Sequence, residues 1–395
     1  MSKKITVIVS HPGKQYVHQL LHALQRENLL QLFITSIWYK PTLPSYKFLL
    51  KIPVLGKLLY EKFLKKKQFD LQNDRLIEQF PWNEFKRQLL VQFSTKFRSE
   101  KYVFQVEKDH DKYVSKRLQK LSPTIFIGYE KSSLESFKVV KERGGITILD
   151  LAQVHFKYLE NLRLQEQTFT DLFEDEVLFK KINKVKEEEY KYADIILTLS
   201  TFAKNTLVQN GIKESKIKVL NLGYNPAIFY PKSSYSTTSG LRLIYTGTFT
   251  KRKGIELLLQ AIKELNLVGL ELVIIGPLLD GEDLFTKYSG LFTYFDFLHH
   301  EELGIHLRQS DVYVFPSYLD SWAMTVVEAM ACGLPVIVSE STGAKDAVRE
   351  GESGFIIPTG SLDSLKEKIL FFYNNKNKIK EMGESAVKSA KLYTW

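Results

Sequence analysis

The chain has 395 residues, 44% of them hydrophobic and 13% aromatic, which excludes a disordered chain and is enough for two domains. Fifty-five Lys and Arg against 45 Asp and Glu leave a net charge of +10, yet no zinc spacing or RNA-binding signature accompanies it, so nucleic acid is not an expected partner. The single cysteine, Cys332, excludes an internal disulfide and is expected to be buried at a helix end, and no run approaches the ~20 apolar residues of a membrane span.

Residues 5–9 read as a first strand, followed by a loop through Pro12 and Gly13 and a helix with apolar Val17, Leu20, Leu21 and Leu24. Loops at the carboxyl ends of such strands face ligand sites, and Gly13 would let backbone approach a phosphate or a sugar; an ordinary turn fits it equally well. His11 and His18 read as loop and helix-surface residues. A second strand covers 29–35. From Trp38 to about Phe97 the strand–helix rhythm lapses into a basic, helical insertion. Within it Leu55, Leu58, Leu59 and Phe63 repeat at helical spacing beside Lys57, Lys62, Lys65, Lys66 and Lys67, while Pro53 and Gly56 argue against one continuous helix. Two readings stay open for residues 47–67: an amphipathic segment lying on anionic lipid, or an insertion packed on its own domain with its lysines in water.

The rhythm resumes with a strand at 124–127, a helix near 132–143 and a strand at 146–149, which runs into Asp150-Leu151-Ala152-Gln153-Val154-His155. Residues 156–192 are charged and helical, 193–199 a strand, and Ser200 an N-cap for a helix over 201–209. The polar run Ser233–Gly240 is the expected boundary, giving domains 1–230 and 231–395.

The second half opens with a strand at 243–245, the loop Thr246–Gly254 and a helix over 255–265. Lys251, Arg252 and Lys253 lie just before that helix, where free N–H groups and the helix dipole favour an anion. Strands at 272–275 and 312–315 and a helix at 301–308 follow. A polar loop, a helix over 324–331 and a strand over 335–338 complete a strand–loop–helix–strand unit. Asp320 in the loop and Glu328 on the helix are eight residues apart, roughly 12 Å at 1.5 Å per residue. A carboxylate can take both hydroxyls of a vicinal diol, so the spacing suits the two ends of a nucleotide sugar; two solvated acids are the other reading. Gly343 opens a turn after this unit, and a last strand at 354–357 and a helix at 362–373 close the pattern.

Pro316-Ser317, Asp320 and the run Glu328-Ala329-Met330-Ala331-Cys332-Gly333-Leu334-Pro335-Val336-Ile337 resemble the donor-site segment of retaining glycosyltransferases of family 4. Asp320 stands where Glu is commoner, a carboxylate one methylene shorter. The resemblance covers most of residues 195–395 and only weakly the first half. It implies an α/β, GT-B architecture of two Rossmann-like domains facing a cleft, the first on the acceptor side and the second binding the donor. It implies that Asp320 holds sugar hydroxyls, that Glu328 holds the ribose, and that Lys253 holds the diphosphate. Thr248 occupies the position of the family's phosphate-binding Arg, with Arg252 expected to fill that gap. Gly247, Thr248, Gly343, Ser317 and Gly13 are the further donor contacts carried over, and His155 a contact to sugar or acceptor.

The implied function is transfer of a hexose, with retention, from a UDP- or GDP-linked donor to a hydroxyl of a glycan, lipid-linked or small-molecule acceptor, needing no further cofactor and no metal. The expected setting is cell-envelope glycan, polysaccharide or glycolipid synthesis in the cytoplasm, peripheral on the inner face of the membrane. A non-catalytic or membrane-associated sugar-nucleotide-binding protein of the same fold, a GT-B epimerase and a phosphorylase are the alternatives.

Overall fold

Continuous apolar runs build the two sheets, as parallel strands covered on both faces require. The structure, a computed structural model, describes residues 5–52, 55–62, 64–94, 99–165, 175–235 and 240–395. Its first sheet contains β1 (Val7–His11), β2 (Leu30–Thr35), β3 (Ile77–Gln79), β4 (Ile125–Tyr129), β5 (Ile146–Leu151), β6 (Ile195–Thr198) and β7 (Ile217–Val219), in the order β3-β2-β1-β4-β5-β6-β7. The second contains β8 (Leu241–Thr246), β9 (Leu270–Ile275), β10 (Thr293–Phe295), β11 (Val312–Phe315), β12 (Val336–Ser339) and β13 (Gly354–Ile357), in the order β10-β9-β8-β11-β12-β13. The β1–β2, β1–β4, β8–β11 and β11–β12 ladders are all parallel. Each sheet therefore reverses its strand order once, between β1 and β4 in the first and between β8 and β11 in the second.

The deepest core follows those central strands. Every residue of β1, β11 and β12 is buried, and Tyr245, Tyr313 and Phe315 stack across β8 and β11. Cys332 closes the helix Met324–Ala331 with no exposed surface, and burial pushes its thiol up to about 12.

Three departures from the sequence expectations have local causes. Within 38–97 the chain returns to the sheet as β3, a three-residue edge strand whose Ile-Glu-Gln carries too short an apolar signal to be read. The basic stretch there forms separate helices, Pro44–Leu50 and Leu55–Lys62, and Tyr39, Tyr46 and Leu64 are buried against each other. The side chains of Leu55, Leu58 and Leu59, and Phe63, lie outside the described residues. The helix Lys376–Ala390 was not expected, because its apolar stripe is thin: Ile379, Met382 and Ala386 are buried along it.

Contacts also group residues differently from a single cut at 230. One compact unit holds 1–152, 173–197 and 212–218; the other holds 153–172, 198–211 and 219–395. Hydrogen bonds explain why the two short segments join the second unit. Tyr158 Oη and Ser341 Oγ are 3.2 Å apart. Ser200 Oγ donates to the Ser321 carbonyl at 2.7 Å while also capping its own helix, Thr201–Gln209. Asp346 takes the Thr201 N–H at 2.7 Å and the Thr201 hydroxyl on its other oxygen, so it caps a helix 145 residues away rather than its own turn. The run Ser233–Gly240, expected as the linker, lies partly outside the described residues.

Replacing Asp346 by Ala removes this cap. The expected cost is about 1 kcal/mol, read as a lower urea midpoint with faster amide exchange confined to residues 201–209.

Candidate functional site

The strand-order reversal between β8 and β11 leaves an opening at their carboxyl ends, the place where parallel α/β sheets bind ligands. A pocket of about 350 Å³ sits there. One wall is Thr246, Gly247 and Thr248 leaving β8; the other is Phe315 at the end of β11 with Asp320 to Thr325, the loop entering the helix Met324–Ala331.

Lys253 reaches this pocket from a single 3₁₀ turn, Lys251–Lys253. Gly254 ends the turn at φ +74° and begins the helix Ile255–Leu265. A Cβ on Gly254 would lie 2.0 Å from the Pro316 carbonyl oxygen, so the two loops can approach only because this residue is glycine. Lys253 Nζ is paired with Asp320 Oδ2 and lies 5.4 Å from the centre of the Phe315 ring. Burial lowers the Lys253 pKa, and the Asp320 charge opposes that shift.

Asp320 has two tasks. Its Oδ1 accepts the N–H groups of Trp322 at 3.0 Å and Ala323 at 2.8 Å, which folds the loop onto the helix start. Its Oδ2 faces Lys253. Ala323 sits in the left-handed region at φ +61°, a conformation that costs a non-glycine residue free energy and clusters at functional sites. The Asp320 backbone is fixed as well, its N–H donating to the Ser341 carbonyl and its carbonyl accepting the Gly343 N–H at 2.8 Å.

Glu328 lies one helical turn beyond Met324 and Thr325, which line the pocket, and therefore on their side of the helix. It is 4% exposed. Burial alone raises its pKa to about 7, with no cation among the causes. A carboxylate in that state is half ionised near neutrality and is stabilised by any hydroxyl donors a ligand brings.

The remaining expected residues divide. Gly247 and Thr248 line the pocket, and Thr248 offers its carbonyl to the Tyr245 hydroxyl at 2.9 Å. Gly343 is buried behind Asp320, where a Cβ would come within 2.0 Å of the Ser321 carbonyl oxygen; its role is close packing of the turn. Arg252 does not fill the place left by Thr248: its guanidinium donates to the Leu319 carbonyl at 2.8 Å, and Lys251 pairs with Asp283. Of the three adjacent basic residues only Lys253 lines the pocket. Ser317 is buried with its hydroxyl on the backbone of Leu319, where it holds the loop.

His155 is 3% exposed, stacks on Phe156, and accepts the Lys157 N–H on Nδ1. Gly13 lies in the first unit, its N–H donating to His11 Nδ1 at 2.7 Å. Sequence reasoning passed over Trp322, whose buried indole N–H has no hydrogen-bond partner among the described residues and which lines the pocket. An aromatic two residues after the loop carboxylate was the available signal.

Residues 230–389 match the family model described as glycosyl transferases group 1. The uncharacterized glycosyltransferase MJ1178 of Methanocaldococcus jannaschii is 30% identical over 213 residues, 52% of this chain and 58% of that one. The capsular polysaccharide biosynthesis glycosyltransferase CapM of Staphylococcus aureus is 27% identical over 213 residues, 49% of this chain and 56% of that one. The chain thus spans about half the length of these relatives. Among solved structures, sucrose-phosphate synthase of Thermosynechococcus elongatus superposes with a TM-score of 0.68 at 17% identity, covering 99% of this chain and 96% of that one. Anabaena HepE in complex with UDP-glucose superposes at 0.60 with 13% identity, covering 99% and 95%. At such identities the likeness establishes the fold. The chain has the GT-B fold of two Rossmann-like α/β domains, and its residues 230–389 are similar to the glycosyl transferases group 1 family.

Proposed function

We propose that the protein transfers a hexose from a nucleotide diphosphate sugar to an acceptor hydroxyl, with retention at the anomeric carbon, in the synthesis of a glycan, polysaccharide or glycolipid. The observation that carries this reading is the Lys253–Asp320 pair lining a pocket at the strand-order reversal of the second sheet. HepE, solved with UDP-glucose, supports a uridine-linked donor.

In this reading the bond from the anomeric carbon to the diphosphate breaks and its electron pair passes to the leaving diphosphate. The acceptor oxygen bonds on the same face, and its proton passes to the departing phosphate. Lys253 stabilises charge that grows on the diphosphate as the bond breaks, so its effect is larger in the transition state than in the ground state. Asp320 keeps the ammonium oriented and the loop folded, and its Oδ2 becomes available to sugar hydroxyls once the diphosphate draws Lys253 away. Glu328 takes the ribose hydroxyls. Holding Glu328 ionised at neutral pH opposes a pKa displaced from 4.5 to about 7, roughly 3 kcal/mol, which hydroxyl donors of a bound nucleotide offset.

A membrane surface is the second partner in this proposal. Residues 40–67 hold eight lysines and one acid, Glu61, and Phe48 is 73% exposed beside exposed Lys47 and Lys51. That combination suits an anionic lipid surface.

Calorimetry with UDP-, GDP- and ADP-glucose tests the donor assignment, and binding by none of them removes this reading. Lys253→Ala is expected to bind donor more weakly and to lose about 10²–10³ in turnover, the effect of removing one oxyanion-type donor. Asp320→Asn retains the acceptor oxygen that folds the loop but leaves the withdrawn Lys253 ammonium without its counter-charge, so it should lose most activity and melt lower than the wild type. Asp320→Ala, which also loses that acceptor oxygen, should melt lower still.

Protonated Glu328 cannot accept two hydroxyls, and its raised pKa places the titration near 7. Donor affinity should therefore rise as pH increases through 6–8 in the wild type and stay flat in Glu328→Gln, as titration calorimetry across that range would report. Co-sedimentation should show binding to phosphatidylglycerol vesicles and none to phosphatidylcholine vesicles. The triple change of Lys47, Lys51 and Lys57 to Glu should abolish it, and equal binding to both lipids would remove the membrane assignment.

A further inference from the structure

The pocket beside Lys253 and Asp320 has a part that the chemistry above leaves without a task. Leu199, which follows β6, and Leu222, which follows β7, also line it. Ser200 Oγ donates to the Ser321 carbonyl at 2.7 Å, which holds Leu199 against the loop of Asp320. Asn221 Nδ2 donates to the Leu199 carbonyl at 2.8 Å, which holds Leu222 next to Leu199. Trp322 closes the same side. Its ring packs on Tyr393 with centres 5.3 Å apart, and the Tyr393 carbonyl accepts the N–H of Tyr224, two residues beyond Leu222. Leu199, Leu222 and Trp322 are all buried, and together they make an apolar wall on the Ser321 side of Asp320.

This wall offers a hydroxyl no side-chain acceptor. Neither leucine side chain carries a polar atom, and an indole N–H only donates. The backbone is largely committed as well. The carbonyls of Leu199 and Ser321 already accept from Asn221 and Ser200, and Asp320 Oδ1 holds the N–H groups of Trp322 and Ala323. His155, expected from the sequence as a sugar contact, is not among the described residues that line the pocket. The hydroxyls of the lining are grouped elsewhere, around Tyr313 and on the way to Glu328. Thr325 Oγ1 lies 2.7 Å from Tyr313 Oη, and Thr246 Oγ1 lies 3.1 Å from it. Polar and apolar parts of the pocket are therefore segregated.

That segregation constrains the sugar. In the transferase reading the anomeric carbon is bonded to the diphosphate beside Lys253, and ring hydroxyls are bonded to Asp320 Oδ2. The ring substituent that can be wholly apolar while those hydroxyls stay in place is the one on C5. It is a hydroxymethyl group in glucose, galactose and mannose, and a methyl group in the 6-deoxyhexoses. A hydroxymethyl oxygen placed against this wall gives up water and finds no acceptor, whereas a methyl group gains apolar contact. We propose that the wall of Leu199, Leu222 and Trp322 selects a donor whose sugar is a 6-deoxyhexose. The inference rests on the transferase reading and adds to it the class of sugar.

The test is calorimetry on the full chain with pairs of donors that differ only at C6: UDP-glucose with UDP-6-deoxyglucose, and GDP-mannose with GDP-6-deoxymannose, beside UDP and GDP alone. Within the pair that binds, the 6-deoxy member should be tighter by about tenfold to a hundredfold, the range over which an apolar site rejects an added hydroxyl. Leu222→Asn places an acceptor on the wall at nearly constant volume. It should bring the two members to near equality, chiefly through tighter binding of the parent hexose. A merely structural role for Leu222 would weaken both members alike and leave their ratio where it was. Equal affinities in the wild type, tighter binding of the parent hexose, or a ratio unchanged in Leu222→Asn each overturns the inference. The wild-type comparison needs no variant, so it decides the matter even where Leu222→Asn folds poorly. Binding of UDP or GDP with no preference between sugars defeats this inference alone, whereas binding of no nucleotide and no nucleotide sugar defeats the transferase reading with it.

Discussion

The second unit is organised by one contact, the ion pair between Lys253 and Asp320 across the gap that opens where β8 and β11 diverge. Each partner arrives from a different side of that gap. Lys253 depends on the tight approach of Gly254 to Pro316, and Asp320 on backbone bonds to Ser341 and Gly343. Both side chains are largely withdrawn from water, at 14% and 18% exposed, so removing either leaves the other charge poorly solvated. The pair also keeps the pocket close to neutral. The diphosphate of the proposed donor would have to compete with Asp320 for the ammonium, which favours ligands that offer more than one negative oxygen over a single carboxylate.

A second constraint recurs in both units: a carboxylate held beyond the reach of water and without a cation. Glu328 sits behind the pocket of the second sheet and Asp150 at the carboxyl ends of the first, and burial raises both pKa values. Asp150 is completed from within the fold, by the phenols of Tyr16 and Tyr129, while among the described residues no donor or cation offsets the burial of Glu328. Groups left as Glu328 is concentrate where ligands complete the hydrogen bonding.

Much of this architecture is legible in the chain. Parallel strands such as Val312–Phe315 and Val336–Ser339 are unbroken apolar runs because both faces are covered, and the basic loop before the helix Ile255–Leu265 and the polar loop holding Asp320, both visible in the chain, supply two walls of the pocket. Other features depend on direction, which a linear pattern does not encode. Lys251, Arg252 and Lys253 are equivalent as text, yet a 3₁₀ turn sends them to Asp283, the Leu319 carbonyl and the pocket respectively. Ser317 sits in a recognisable motif but bends to the backbone. Asp346 looks like a local helix acid and caps a helix far away in the chain. Asp150 carries no motif at all; its one sequence signal is a lone charge inside Ile-Thr-Ile-Leu-Asp-Leu, and only the neighbouring strands reveal Tyr16 and Tyr129 beside it.

The single cysteine has a practical consequence. Cys332 is sealed at the end of the helix Met324–Ala331, its thiol displaced to about 12, so at neutral pH essentially none of it is the reactive thiolate. The protein is therefore already a background-free host for labelling chemistry. A cysteine placed at an exposed position in each unit, without first removing Cys332, would be the only pair to accept maleimide dyes, and the distance between those dyes could be read one molecule at a time with and without the proposed donor.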